Sequence, residues 1–123
     1  MRAYTVATAA VALNVSGKWI DNTLSHYRVT GVVQSRQGVA RRLTAEAVTV
    51  LAITLRLIRA LRLPAAPALQ IAQDLSRHGS TYSREGCEVR LDVEAIRATV
   101  ARQLADAVEY TPVPRRGRPP ARQ

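Results

Sequence analysis

The chain has 123 residues, 47% of them hydrophobic, with a formal net charge of +9. That is one domain's length and enough apolar content for a core, which excludes disorder over most of the chain. The charge is segregated, with a net of +7 over residues 1–63, −2 over 64–111 and +4 over 112–123, the pattern of two polyanion-contacting blocks around a mildly acidic module.

With no Phe, one Trp and four Tyr, the core must be filled by Ala, Val, Leu and Ile, which favours packed helices over an aromatic-rich sandwich. Tyr4 to Leu13 reads as a short helix with Thr5 as N-cap, because Val6, Ala9, Ala10 and Leu13 recur at helical spacing. Asn14 tolerates the left-handed conformation that ends a helix, and Ser16 can cap the next one. That second helix is predicted from Gly17 to about His26. Trp19, Ile20, Thr23 and Leu24 lie on its inner side, and Lys18, Asp21, Asn22 and Ser25 face out. Two short helices joined by so tight a turn predict a helix-turn-helix; the alternative is a solvated amphipathic helix pair in a small helical domain.

Residues 28–43 hold two β-leaning runs around Ser35-Arg36-Gln37-Gly38, a hairpin pattern. A hairpin directly after a helix-turn-helix is a wing, with Arg36 at its tip and Arg41 and Arg42 on the returning strand. Thr44 then caps a core helix predicted over Ala45–Leu63 and stopped by Pro64, polar only at Arg56, Arg59 and Arg62. A helix over Ala68–Ser76 follows Pro67, with Leu69, Ile71, Ala72 and Leu75 inward. Residues 79–91 read as a second small hairpin turning at Arg84-Glu85-Gly86. Asp92 caps a last helix from Val93 to about Glu109, striped by Val93, Ile96, Val100, Leu104 and Ala107 or Val108. The stripe is either packing within the protomer or a homodimer seam. Pro112 and Pro114 release the tail. The fold class is therefore mainly α with two small β-hairpins: a winged helix-turn-helix over 1–76, a hairpin-helix module over 77–111 and a disordered Arg/Pro-rich tail over 112–123.

The opening Tyr4-Thr5-Val6, then Ala10, Leu13-Asn14-Val15-Ser16, Gly38, Arg41 and Leu43-Thr44-Ala45-Glu46-Ala47-Val48 resemble the MerR-type winged helix domains over roughly residues 4–76. The resemblance implies double-stranded DNA binding and carries the wing arginine of that family onto Arg41. Ala40 and Leu43 stand where the family has Tyr, and Asp21-Asn22-Thr23 replaces its paired aromatic residues. No counterpart of the effector-binding cysteines occurs, so metal sensing is not implied. In the tail, Pro114-Arg115-Arg116-Gly117-Arg118-Pro119-Pro120 looks like an AT-hook. Gly117 would let the backbone lie on a minor-groove floor while Arg115, Arg116 and Arg118 point along it. An electrostatic or inert tail is the other reading.

A helix fits the major groove and presents polar groups to base edges, while a wing and helix termini hold phosphates. The expected DNA-contacting residues are Thr5, Ser16, Gly17, Lys18, Asn22, His26, Arg28, Arg36, Gln37, Arg41, Arg42 and the tail's Arg115, Arg116, Gly117 and Arg118. Asn22 could read adenine. Asp21 would repel phosphate unless it pairs with Lys18 or accepts from cytosine. All but one of the 18 basic residues are Arg, a composition that GC-rich coding also produces, but guanidinium forks bind phosphate and guanine bidentately.

Cys87 is the sole cysteine, which excludes an intramolecular disulfide and points to a reducing, cytoplasmic setting, nucleoid-associated if the chain binds DNA; it reads as a buried structural thiol, with a nucleophile as the alternative. His26 and His78 lie far apart with no nearby ligand set. No metal or cofactor is expected. Val6–Val15 lacks a signal-peptide pattern, and Val48–Leu63 is too short and too charged to span a membrane. With no phosphate loop and no catalytic carboxylate pair, the chain does not read as an enzyme. The expected function is sequence-specific transcriptional regulation through double-stranded DNA. The alternatives are an excisionase-like DNA-bending factor, or a protein-interaction module of defence or toxin–antitoxin type whose partner docks on residues 64–111.

Overall fold

A computed structural model describes residues 2–34 and 38–110. Ten elements follow in chain order: β1 (Ala3–Thr5), α1 (Val6–Leu13), α2 (Gly17–His26), β2 (Val32–Val33), β3 (Arg42–Thr44), α3 (Ala45–Leu61), α4 (Ala65–His78), β4 (Thr81–Arg84), β5 (Cys87–Arg90) and α5 (Val93–Tyr110). The mainly helical class with small antiparallel sheets holds.

The N-terminus departs from expectation. Tyr4 and Thr5 belong to a strand and not to the first helical turn, because β1 pairs with β3 through Tyr4↔Leu43 and Thr5↔Arg42. The first sheet therefore has three strands in the order β1-β3-β2 and is more than a hairpin. A three-residue strand leaves too short a periodic signal to read, and its partner lies some forty residues along the chain. Thr5 nonetheless caps α1, its hydroxyl accepting from the Thr8 amide at 3.1 Å. Asn14 ends α1 at φ 55°, and the Ser16 hydroxyl accepts from the Trp19 amide at 3.0 Å to start α2.

Side chains alternate along β3. Leu43 is fully buried, facing Tyr4 and Val32 across the sheet, while Arg42 is exposed beside Thr5 and Val33. Thr44 continues into α3, its hydroxyl accepting from the Ala47 amide at 3.2 Å. At the same spot the Thr44 amide donates to the Gly31 carbonyl at 2.9 Å. Gly31 has φ +94°, and a Cβ there would run into the Thr44 hydroxyl and Ala47. Only glycine fits.

The central helix is α3, with Ala47 to Leu55 buried without interruption. Thr49 and Thr54 satisfy their hydroxyls on the carbonyls of Ala45 and Val50, so an almost wholly apolar helix carries no orphaned polar group. It ends at Leu61, two residues before expectation, because Arg62 takes the left-handed conformation at φ 57° ahead of Pro64. Conversely α4 begins at Ala65, three residues early. Pro64 takes the N-cap position and Pro67 falls in the first turn, where a missing amide hydrogen costs nothing.

The stripe of α5, namely Val93, Ile96, Val100, Leu104 and Ala107, is buried against α1 and α3 within the protomer. Val108, the other candidate for the stripe, is 38% exposed. The Asp92 carboxylate caps α5 through the Ala95 amide at 3.0 Å. The β4–β5 ribbon turns on Glu85-Gly86 alone, with Arg84 paired to Cys87. Cys87 is exposed there and is not the buried thiol expected; it shares a face with Val89 but pairs with Arg84 beside the turn, beyond the Tyr82–Val89 pair through which the ribbon packs on the core. Among the described residues no helix is long and apolar enough to cross a membrane.

Candidate nucleic-acid interface

The four outward residues of α2 fall at i, i+3, i+4 and i+7, so Lys18, Asp21, Asn22 and Ser25 form one exposed row. The opposite side is anchored by buried Ile20 and Thr23, with Trp19 and Leu24 half-buried beside them. Thr23 returns its hydroxyl to the Trp19 carbonyl at 2.8 Å, which removes its polarity from the core. His26 is tied back onto the helix, its Nδ1 donating to the Asn22 carbonyl at 2.8 Å.

Arg41, expected on the returning strand, stands one residue before β3 and reaches over this row from there. Its guanidinium lies 3.6 Å from an Asp21 carboxylate oxygen and donates to the Ser25 hydroxyl at 3.3 Å. The partner of Asp21 is thus Arg41, and not Lys18, the one side-chain partner that the sequence offered for it. Residues i and i+3 are neighbours on a helix, but the ribbon brings a planar fork to the same carboxylate. Arg41 partitions two shallow clefts of about 610 Å³ each. One opens between the end of α2 and β2. The other opens between the start of α1, Asp21 and the 38–42 segment. Gln34 closes that segment, its side-chain amide donating to the Val39 carbonyl at 2.8 Å.

The other expected residues fall into three groups. Lys18, Arg28 and Arg42 are exposed and, among the described residues, have no carboxylate within ion-pair distance. Thr5 and Ser16 are engaged as caps, and Gly17 has ordinary room for a Cβ, 3.8 Å from Val6. Neither α1 nor α2 has an acidic residue in its first turn, whereas α3 and α5 do; the positive ends of the first two helices are left unneutralised. Arg36 and Gln37, and Arg115, Arg116, Gly117 and Arg118 of the tail, lie outside the described residues.

Sequence reasoning missed the brace behind the row. Gln73 of α4 donates from its amide nitrogen to the Arg28 carbonyl at 2.9 Å and accepts from the Thr30 amide at 3.3 Å. Arg77, one turn on, donates to the Thr30 hydroxyl at 3.0 Å. A side-chain amide here imitates a strand partner for the segment that leads into β2, and Arg77 brings a guanidinium to Thr30. Nothing local distinguishes Gln73 from any polar position on an amphipathic helix. The pairing exists only once α4 has folded back over more than forty residues.

No protein-family model, curated protein or solved structure matches this chain.

Proposed function

We propose that the α1–α2 pair and the β2–β3 ribbon form a winged helix-turn-helix that binds double-stranded DNA for transcriptional regulation. The observation that carries this is the exposed row on α2 with a ribbon arginine clamped across it. A ten-residue helix is roughly 15 Å long and suits the major groove. Its outward row mixes donors and acceptors able to read base edges, with Asn22 suited to adenine. Lys18, Arg28 and Arg42 supply the unpaired cations for phosphates on either side. The Arg-rich tail supplies a tethered second contact, which raises affinity through effective concentration.

The test is titration of duplex DNA at several salt concentrations. Binding should weaken steeply with salt, and Lys18→Ala or Arg42→Ala should each lower the log–log slope by about one while weakening all sequences alike. Asn22→Ala should instead relax preference at a single base position, worth about 1–3 kcal/mol. Deleting residues 112–123 should remove several phosphate equivalents from the slope. Absence of duplex binding at about 50 mM salt would overturn the proposal.

A further inference from the structure

We infer that Asp21 is a built-in competitor for DNA phosphate, and that Arg41 leaves it productively only where a cytosine faces the vacated carboxylate. The inference rests on the DNA-binding function proposed above and names what that surface selects. Asp21 is the sole acidic residue of α2 and stands in the middle of the outward row. An acid in a phosphate-facing surface is costly unless paired, and here it is paired, at 3.6 Å, with the arginine best placed to leave it. Arg41 is the less exposed partner, 24% against 55% for Asp21, and its second anchor, Ser25, is neutral. Exchanging Asp21 for a phosphate therefore gives up one weak ion pair, worth a factor of about two to five, for a bidentate charge-assisted contact.

The exchange has a consequence for Asp21. Its oxygens are acceptors only, and they would face base edges in the major groove. Guanine and thymine present acceptors there, and adenine sets its amino group beside the N7 acceptor. Cytosine presents a donor with no adjacent acceptor. Over cytosine the carboxylate is satisfied and Arg41 is free to hold phosphate. Over any other base, either the latch stays closed and the phosphate contact is lost, or the carboxylate is stranded. The ion pair thus taxes non-specific binding and refunds the tax at one kind of site.

The experiment selects sites from a randomised duplex library with the full chain, then measures affinity for the selected and a random duplex. Native protein and the variants Asp21→Asn, Arg41→Gln and the double variant are compared. Asp21 is exposed, so thermal melting of Asp21→Asn should match the native protein. The native chain should prefer cytosine at one position by about tenfold. Asp21→Asn should lose that preference, bind random duplex about three- to tenfold tighter, and steepen its salt slope by about one. In the Arg41→Gln background the same substitution should give no such gain, because the two residues act as a unit. If Asp21→Asn keeps the preference and the native affinity for random duplex, the inference is wrong while the DNA-binding function stands. If its gain persists without Arg41, simple charge removal explains it and the latch is wrong. If the native chain binds no duplex at all, the proposed function fails and this inference with it.

Discussion

The β2–β3 and β4–β5 ribbons show two ways of making a hairpin. The second is local: four consecutive register pairs run from Thr81↔Arg90 to Arg84↔Cys87, and the turn is Glu85 at φ 51° followed by Gly86 at φ 80°. Two positive φ values in a two-residue loop are the geometry whose twist matches that of the strands. The first ribbon pairs only Val32↔Leu43 and Val33↔Arg42, and a longer connection joins its strands. It is held from outside, by β1 on one edge, by the Gly31–Thr44 contact at the cap of α3, by Gln73 at its base and by Arg41 on α2. A ribbon held by its neighbours moves with them, so the orientation of the first one is a property of the whole fold. The β4–β5 ribbon also packs on the core, through Tyr82 and Val89, but its own strand pairing and turn set its geometry.

Alanine at the two ribbon glycines breaks the comparison most directly. Gly31→Ala adds a left-handed strain to a collision with the Thr44 hydroxyl and Ala47, so it should cost about 3 kcal/mol and lower the melting temperature by roughly 12 °C. Gly86 also has positive φ, at 80°, but nothing lies within 4 Å of a Cβ there. Gly86→Ala should therefore cost only the backbone term, about 1–2 kcal/mol, and leave duplex binding unchanged. Equal losses from the two substitutions, by thermal melting, would erase the distinction between a tertiary and a local hairpin. Gln73→Ala sharpens the contrast at smaller scale. It should cost about 1 kcal/mol, yet amide hydrogen exchange should accelerate at Thr30 and Val32 and stay native across β4–β5. Uniform acceleration over both ribbons would mean that Gln73 braces nothing in particular.

Where side-chain chemistry acts within three or four residues, the sequence was legible. Thr5, Ser16, Thr44 and Asp92 all cap the helices they were expected to cap, and Asn14 turns left-handed where its position demanded. The outward row of α2 and the inward stripe of α5 follow from helical period alone. Errors fall where a longer-range partner overrides local preference. Tyr4 and Thr5 became strand because Leu43 and Arg42 offered a ladder. Cys87, apolar enough to suggest burial, sits at the turn end of a thin ribbon, past the Tyr82–Val89 pair that packs on the core. For the candidate site, the residue types were readable, but Arg41 as the clamp on Asp21 and Gln73 as the brace were not.

The sequence by itself determined the helices, their caps, their buried faces and the placement of positive charge at the two ends of the chain, because these depend on backbone propensity and periodicity at short range. Only the tertiary structure decided which of two readings the α5 stripe obeyed, since burial against α1 and α3 is a matter of surface matching between elements far apart in the chain. It also decided that the one acid on the outward face of α2 would meet a ribbon guanidinium and not its helical neighbour. A planar fork approaching from across a sheet makes the closer contact with a carboxylate than a lysine on the same helix, and no spacing in the sequence encodes that approach.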